Sequence, residues 1–327
     1  MVLIVLIPAV VFGIVYVPGQ DGRRRKDMEL RDKTIAITGA SAGIGRELAC
    51  QLAKRGAKLA LAARNAEALE ATRQECVTIG GDAIGIVTDV AQQEDCRRFV
   101  EETVARFGAI DVFVNNAGIS MFCRFDEITD LGLFARILEI NFLGAVFCTH
   151  FALPHLRRAG GLLVAVSSLQ GKTGFPHSTA YSASKHAMQG FFDSLRIELF
   201  GSGVDVLIVS PGPVGTTIHT RRLAGDGSLS DESLKHPNDR GMPVDECARQ
   251  IVRAIEGRRR ELVMTASGKG GTVDQAACAG DDGSFRRPSR RALLSRSIDD
   301  SSRLPRQLTG AKRRRPSTDE VLVARVH

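Results

Sequence analysis

The sequence has no tryptophan and only two tyrosines, Tyr16 and Tyr181. Tyr16 lies in an apolar run near the start of the chain, so a soluble catalytic site that needs a phenol has to use Tyr181. The seven cysteines are scattered, with no C-x-x-C pair and no Cys/His spacing typical of metal sites. We therefore expect no metal site, no disulfide framework and a reducing compartment.

The middle of the chain lacks net positive charge. The net charge is +7, but residues 268–327 hold 13 Lys/Arg against 7 Asp/Glu, and residues 21–33 hold 6 against 4. Residues 34–267 are therefore close to neutral. This distribution favours contact of the two ends with a membrane surface, or basic tails, over a nucleic-acid groove, so we expect no nucleic-acid partner.

Composition divides the chain into four segments. Residues 1–19 are almost wholly apolar and residues 20–33 form a basic linker, a pattern that predicts a membrane anchor with the catalytic domain on the cytoplasmic side. The alternatives are a hydrophobic arm packed on the domain or a wrongly assigned start codon. Residues 34–267 form the predicted catalytic domain. Residues 268–327, rich in Ser, Arg, Gly and Pro, are predicted to be a mostly disordered tail.

Short apolar runs alternate with helical patterns throughout the predicted domain. This alternation is typical of βαβ units, and it predicts a single Rossmann-type α/β fold, a doubly wound parallel seven-stranded sheet with helices on both faces. The predicted strands are 34–38, 58–63, 83–88, 111–115, 161–167, 204–209 and 261–264. The predicted helices are 44–55, 66–79, 92–107, 131–158, 180–200 and 244–256.

A glycine-rich loop joins the first strand to the first helix. Gly39 permits a tight turn, Gly43 lets the backbone approach a pyrophosphate, and Gly45 lets the helix pack closely on the strand. The neighbouring Ser41 and Ile44 complete the predicted phosphate-binding segment at the helix N-terminus. In this strand-turn-helix context the loop predicts dinucleotide binding, although a glycine triplet alone is weak.

The residue that follows the second strand bears on the choice of dinucleotide. NAD sites commonly place a carboxylate near this point, whereas this chain has Ala63 and then Arg64. A planar guanidinium pairs well with a 2′-phosphate, so NADP(H) is favoured over NAD(H). The alternative is that Arg64 is a solvated residue at a helix start.

Tyr181 and Lys185 lie four residues apart in a predicted helix and therefore on one face of it. A free phenol is a poor base near neutral pH, and a nearby ammonium favours the phenolate. A Y-x-x-x-K pair occurs often by chance, so its context decides its meaning.

These motifs together resemble the short-chain dehydrogenase/reductase superfamily over residues 34–264, most closely its membrane-linked hydroxysteroid dehydrogenase-like members. The resemblance rests on the glycine loop, Asn115-Asn116-Ala117-Gly118, Asn141, Ser168, and Tyr181 with Lys185. It implies that Tyr181 is the general acid or base, that Ser168 positions the substrate oxygen, and that Lys185 lowers the pKa of Tyr181 and reaches the nicotinamide ribose. Asn141 is implied to hold a water that links Lys185 to solvent.

The resemblance also implies further cofactor-binding positions, namely Asp89, Asn115, Ala117, Pro211, Val214 and Thr216. Asp89 is implied to contact the adenine ring, and a helix N-cap is the alternative. Ala42 departs from the Lys or Arg that many NADP-preferring relatives carry, which leaves Arg64 as the main phosphate partner. A homodimer or homotetramer is implied as well.

The expected activity is NADP(H)-dependent interconversion of a carbonyl and a secondary alcohol. An anchor would concentrate the enzyme where lipophilic compounds partition, which favours a steroid, retinoid, acyl or sphingoid-type substrate. The alternatives are a reductase of small xenobiotic carbonyls and a non-catalytic NADP(H)-sensing scaffold protein.

Overall fold

The computed structural model describes residues 27–216, 218, 222–229 and 241–264. The predicted anchor, the first part of the linker and the predicted tail lie outside the described residues.

A seven-stranded parallel sheet forms the centre of the described chain, in the order β3-β2-β1-β4-β5-β6-β7. The strands are β1 (Thr34–Thr38), β2 (Lys58–Ala63), β3 (Asp82–Val87), β4 (Val112–Asn115), β5 (Leu162–Val166), β6 (Asp205–Pro211) and β7 (Glu261–Met264). In β1 and β5 every residue is buried. Helices cover both faces of such a sheet, which explains why these strands read as continuous apolar runs and not as alternating ones.

The helices are α1 (Gly43–Ala53), α2 (Ala66–Thr78), α3 (Gln93–Phe107), α4 (Gly132–Leu138), α5 (Gly144–Ala159), α6 (Thr179–Glu198) and α7 (Val244–Glu256). Buried residues of α1, α2 and α7 form one apolar core with one face of the sheet. Those of α3, α5 and α6 form a second core with the other face. The predicted doubly wound Rossmann-type fold is confirmed, and the predicted element bounds differ by one or two residues at most ends.

The prediction of one continuous helix over residues 131–158 is wrong in one respect. A π-helical turn, Glu139–Leu143, separates α4 from α5. It carries Asn141, whose side chain accepts from the N–H of Ile119 at 2.8 Å and donates to the carbonyl of the same residue at 2.9 Å. Single π turns often occur at functional sites, and helical periodicity does not reveal them.

One helical run among the described residues, Gly132–Ala159, is long and apolar enough to cross a bilayer. In its most apolar stretch of 18 residues, 44% is buried inside the fold. Its α5 part packs against α3 and supplies core residues beneath the sheet. A core helix of a globular domain has these properties too.

Candidate active site

A cleft of about 460 Å³ lies at the carboxyl ends of the strands. It spans the point between β1 and β4 where the strand order reverses, which is where open α/β sheets bind ligands. Most of the site residues that the sequence predicts line it: Gly39, Ser41, Gly43, Ile44, Arg64, Ala117, Ser168, Tyr181, Lys185, Pro211, Val214 and Thr216. The other four, Gly45, Asp89, Asn115 and Asn141, do not line it.

The glycine loop leaves no room for side chains. Gly39 has a φ of +66° and Gly43 a φ of +54°, a region that favours glycine. A Cβ on Gly45 would lie 2.3 Å from the carbonyl oxygen of Gly39, so only glycine lets α1 start this close to the turn. The backbone is therefore open to the cleft at the N-terminus of α1, and these residues fit a dinucleotide pyrophosphate.

Asn116 is a site residue that the sequence reasoning missed. Its amide donates to the carbonyls of Thr38 at 2.9 Å and Gly39 at 3.2 Å, and it therefore ties the glycine loop to the end of β4. Asn115, which we expected to lie near the cofactor, is buried and donates to the Thr149 hydroxyl of α5 at 3.0 Å. The period-two alternation of a strand was the available signal, because it places Asn115 with Phe113 on the α5 face.

Arg64 lies at the end of the cleft that is formed by β2. Its side chain is exposed, and within the described part of the chain it has no ion-pair partner. Asn65 caps α2 by accepting from the N–H of Ala68 at 2.9 Å, which fixes the backbone just after Arg64. The guanidinium is thus available to an anion in the cleft.

Asp89 has a local structural role. Its carboxylate accepts from the N–H of Ala91 at 3.1 Å, and its own N–H donates to the carboxylate of Asp95 at 2.9 Å. Its neighbours Thr88 and Val90 line the cleft, whereas Asp89 does not. The N-cap of α3 is Gln92, so the Asp89 side chain closes the turn before this helix and does not cap it. The contact of Asp89 with the adenine ring stays a prediction.

Tyr181 and Ser168 meet at the opposite end of the cleft. Tyr181 lies in the first turn of α6 and hydrogen-bonds to the hydroxyl of Ser168, which follows β5. The same hydroxyl accepts from the N–H of Gln170 at 3.1 Å. The Gln170 side chain accepts in turn from the hydroxyl of Ser182 at 3.0 Å. Two hydroxyls therefore converge on one point of the cleft, where a substrate oxygen can be held.

Lys185 lies one turn after Tyr181, as the spacing predicts, and its ammonium is 5.7 Å from the centroid of the phenol ring. The side chain is 3% exposed and donates to the carbonyl of Val166 at 3.0 Å. Burial lowers the pKa of Lys185 to about 8. At neutral pH Lys185 is therefore mostly protonated, and it loses its proton at a lower pH than an exposed lysine does.

Burial raises the pKa of Tyr181 to about 12, and the hydrogen bond with Ser168 opposes part of that rise. Desolvation is thus the larger effect on the pKa of Tyr181, and the lowering by Lys185 that the resemblance implies stays a prediction. A phenol with this pKa is protonated at neutral pH and is ready to act as an acid.

Asn141 lies behind the catalytic residues and is fully buried. Its amide nitrogen donates both to the carbonyl of Ile119 and to the hydroxyl of Ser184, at 2.9 and 3.0 Å. Both amide protons are therefore used by the protein, so the side chain cannot donate one to a water.

The wall of the cleft next to Tyr181 is built from two chain segments. Leu223 donates through its N–H to the carbonyl of Ser120 at 2.9 Å, and its carbonyl accepts from the N–H of Phe122 at 3.0 Å. Phe175 also lines this wall, together with the apolar side chains of Met121 and Phe122. The substrate end of the cleft is thus largely apolar around a few polar groups, as small-molecule sites usually are.

Comparison with known proteins agrees with this geometry. The profile of the short chain dehydrogenase family matches residues 33–226. An 11-beta-hydroxysteroid dehydrogenase from Pinus massoniana is 39% identical over 241 residues, which cover 72% of this chain and 67% of the relative.

Two solved structures show the same fold. An alcohol dehydrogenase from the archaeon Thermococcus sibiricus, complexed with 5-hydroxy-NADP, is 28% identical with a TM-score of 0.62, over 73% of this chain and 98% of that one. A short chain dehydrogenase/reductase from Burkholderia phymatum, in complex with NAD, is 25% identical with a TM-score of 0.64, over 72% of this chain and 90% of that one. From its profile match, its relatives and its fold, this chain belongs to the short-chain dehydrogenase/reductase superfamily, whose enzymes act on CH–OH groups with NAD(P).

Proposed function

We propose that this enzyme uses NADP(H) to interconvert a carbonyl and a secondary alcohol on a lipophilic substrate. The observation that carries the proposal is the hydrogen-bonded pair of Ser168 and Tyr181 beside the apolar wall of the cleft. The pine relative is named as a hydroxysteroid dehydrogenase, and steroids belong to the lipophilic compounds that such a wall accommodates.

In reduction, Ser168 donates a hydrogen bond to the carbonyl oxygen and Tyr181 gives that oxygen a proton. The substrate oxygen binds between the hydroxyls of Ser168 and Tyr181, which already lie next to each other. Both donors are therefore close to the oxygen atom on which negative charge develops. The buried cation of Lys185 favours the phenolate that remains on Tyr181. When it is bound, the nicotinamide supplies or accepts the hydride.

Asn141 acts in this scheme as a positioning residue. It joins Ile119 at the edge of the cleft to Ser184, whose hydroxyl also donates to the carbonyl of Tyr181 at 2.7 Å. In this way it fixes the first turn of α6 and the catalytic phenol within it. The Asn141 side chain can hold a water that links Lys185 to solvent only by accepting from it, through the second lone pair of the amide oxygen.

The preference for NADP(H) rests on Arg64. The exposed guanidinium follows β2, where a 2′-phosphate lies in enzymes of this fold, and no described carboxylate lines the cleft to hold a ribose diol. The two solved structures hold NADP-type and NAD cofactors respectively, so the fold alone does not decide between the two cofactors.

Membrane anchoring through residues 1–19, with the catalytic domain on the cytoplasmic side, is part of the same proposal, as is a homodimer or homotetramer. The run of apolar residues before four basic ones supports the anchor. Exposed apolar side chains near the end of α6, Ile197 and Phe200, support self-association. Membrane fractionation and light scattering of the full chain test these two points.

The activity is tested by following NADPH oxidation with a panel of ketones that runs from small xenobiotic carbonyls to steroids and long-chain oxo compounds. We expect kcat/KM to rise with the apolar area of the ketone, because the cleft wall buries it. Turnover that is best for the smallest ketones would favour the xenobiotic reductase. Binding of NADPH without turnover of any ketone would favour the scaffold protein.

A further inference from the structure

All charged side chains that line the cleft among the described residues are cations: Arg64, Arg136, Lys185 and Arg222. Residues 34–267 are nevertheless close to neutral as a whole. Low-dielectric walls that carry charge of one sign concentrate ligands of the opposite sign. The phosphates of a dinucleotide explain such a field at one end of the cleft, but the cations are found at both ends.

The two ends are well separated. Arg64 follows β2 and Ser168 follows β5, three strand positions away, which is about 14 Å at ~4.8 Å per strand. Arg222 belongs to the Ser168 end, because its guanidinium lies 5.0 Å from the ring centroid of Phe122. The Phe122 ring is in turn 5.0 Å from the ring of His177, just before α6.

Arg222 is held firmly in the wall of the cleft. It is 6% exposed, and the next residue, Leu223, is bonded to the Ser120 and Phe122 backbone through two hydrogen bonds. Leu223 also belongs to the apolar cluster against which Tyr181 packs. Arg222 takes part in a further interaction as well. Its position in the cleft wall and its positive charge, and not the absence of a partner, make it a candidate group for binding an anion.

We propose that Arg222 selects substrates that carry an anionic oxygen group on an apolar body, such as a carboxylate or a phosphate ester. This rests on the proposed carbonyl reduction at Tyr181. Met121, Phe122 and Leu223 take up the apolar body, while the guanidinium binds two oxygens of the anion through parallel N–H groups. The contact with the Phe122 ring restricts the movement of the guanidinium, which lowers the entropy lost on binding.

The test compares a long-chain oxo acid with its methyl ester, two ketones that differ in the charge at one end. For the wild type we expect kcat/KM for the acid to exceed that for the ester at least about tenfold, the effect of one charge-assisted hydrogen bond. In Arg222→Gln the acid-to-ester ratio falls by about tenfold or more, chiefly through KM for the acid. In Arg222→Lys part of the ratio is recovered, because the charge remains without the planar fork.

Phe122→Leu is the matched control, because it removes the stacking partner and keeps the cation. It is expected to lower kcat/KM for both ketones, and more for the acid, because the guanidinium is held less firmly. The acid-to-ester ratio should then lie between that of the wild type and that of Arg222→Gln. A phosphate monoester of a hydroxyketone of the same chain length, with a higher kcat/KM than the acid, would identify the anion as a phosphate ester. Melting temperature and NADPH affinity, measured on every variant, show whether each one is folded and binds cofactor.

Three results would overturn the inference. The wild type reduces the acid no better than the ester, or Arg222→Gln lowers both equally, or Arg222→Gln weakens NADPH binding without changing the acid-to-ester ratio. In each of these cases carbonyl reduction at Tyr181 still stands. If neither ketone nor any member of the broader panel is reduced, the proposed function itself fails.

Discussion

The hydroxyl of Ser168 hydrogen-bonds to the phenol of Tyr181 at the substrate end of the cleft. Ser168 is fixed by the N–H of Gln170. Tyr181 lies in a helix whose Ser182 hydroxyl donates to the Gln170 side chain and whose Ser184 hydroxyl accepts from Asn141. Neither hydroxyl has to move far to meet a carbonyl oxygen. Preorganised donors of this kind contribute to catalysis because they need little reorganisation when charge develops.

The first prediction concerns the pH dependence of the two reaction directions. Because the pKa of Tyr181 is raised to about 12, the phenol stays protonated from about pH 6 to 9. We expect kcat for reduction to be nearly constant up to about pH 7 and to fall as the Lys185 cation releases its proton near pH 8. Oxidation needs the phenolate, so its rate should rise by up to about tenfold per pH unit over the same range. Initial rates in both directions at saturating cofactor test this. A plateau of the oxidation rate near neutral pH would show that the phenol titrates far lower.

The second prediction concerns the buried ammonium of Lys185, whose pKa is lowered by burial from its usual 10.5 to about 8. Between these two pH values the unfolded chain holds a proton that the folded protein has released, so this residue makes the folded state more stable as the pH rises. This additional free energy of unfolding is lost again as the pH falls from about 10.5 to about 8. Lys185→Met has no titratable group at this position, so its stability should not show this pH dependence.

The measurement is the free energy of unfolding of the wild type minus that of Lys185→Met, from denaturant titrations at several pH values. This difference should grow by about 3 kcal/mol from pH 8 to pH 10.5, because one pKa unit corresponds to about 1.4 kcal/mol. Lys172→Met serves as the control, because Lys172 forms an ion pair with Glu261 near the surface. A difference that does not change with pH would mean that Lys185 titrates normally.

Much of the fold was predictable because local patterns and tertiary structure agree. Strands such as β1 and β5 are buried on both faces, so their apolar runs are unambiguous, and the glycine loop marks the first turn by itself. The π turn was not predictable, since one extra residue within an apolar helix leaves the pattern almost unchanged. It is stabilised by the bonds between Asn141 and Ile119, which are 22 residues apart in sequence.

Prediction from the sequence is limited in the same way at the active site. Residue types and spacing led to Tyr181, Lys185 and Ser168, but they did not show that burial would raise the pKa of the phenol above its usual value. Which of Asn115 and Asn116, at the end of β4, faces the glycine loop depends on strand alternation and on the Thr38 and Gly39 carbonyls. Arg222 carried no motif at all, and only the packing of the two wall segments brings it to the cleft.

The third prediction tests the cofactor preference. Arg64→Gln should raise KM for NADPH by about 10- to 100-fold and change KM for NADH much less, since the charge-assisted bonds go to the 2′-phosphate alone. Arg73→Gln is the matched control, because this arginine of α2 pairs with Glu70 on the surface and does not line the cleft. Equal effects of Arg64→Gln on the two cofactors would remove the argument for NADP(H).

The fourth prediction concerns two glycines in helices. In Gly45→Ala the new methyl group would meet the Gly39 carbonyl oxygen at 2.3 Å, so the glycine loop must shift and dinucleotide affinity should fall at least tenfold.

Gly190 lies within α6, and a Cβ there meets nothing within 4 Å. Gly190→Ala should therefore raise the stability by about 0.5–1 kcal/mol. Fluorescence titration with NADPH and thermal unfolding measure the two effects. Unchanged NADPH affinity in Gly45→Ala would contradict the assigned role of the loop.

Replacement of the one described tyrosine tests the central claim most directly. Tyr181→Phe removes the proton donor and keeps the ring that packs against the apolar cluster. For a ketone that the wild type reduces, we predict that kcat of Tyr181→Phe falls by about 10²–10⁴-fold while NADPH affinity stays within about threefold. A Tyr181→Phe enzyme that binds NADPH and still reduces the ketone at a rate near that of the wild type would show that another group delivers the proton.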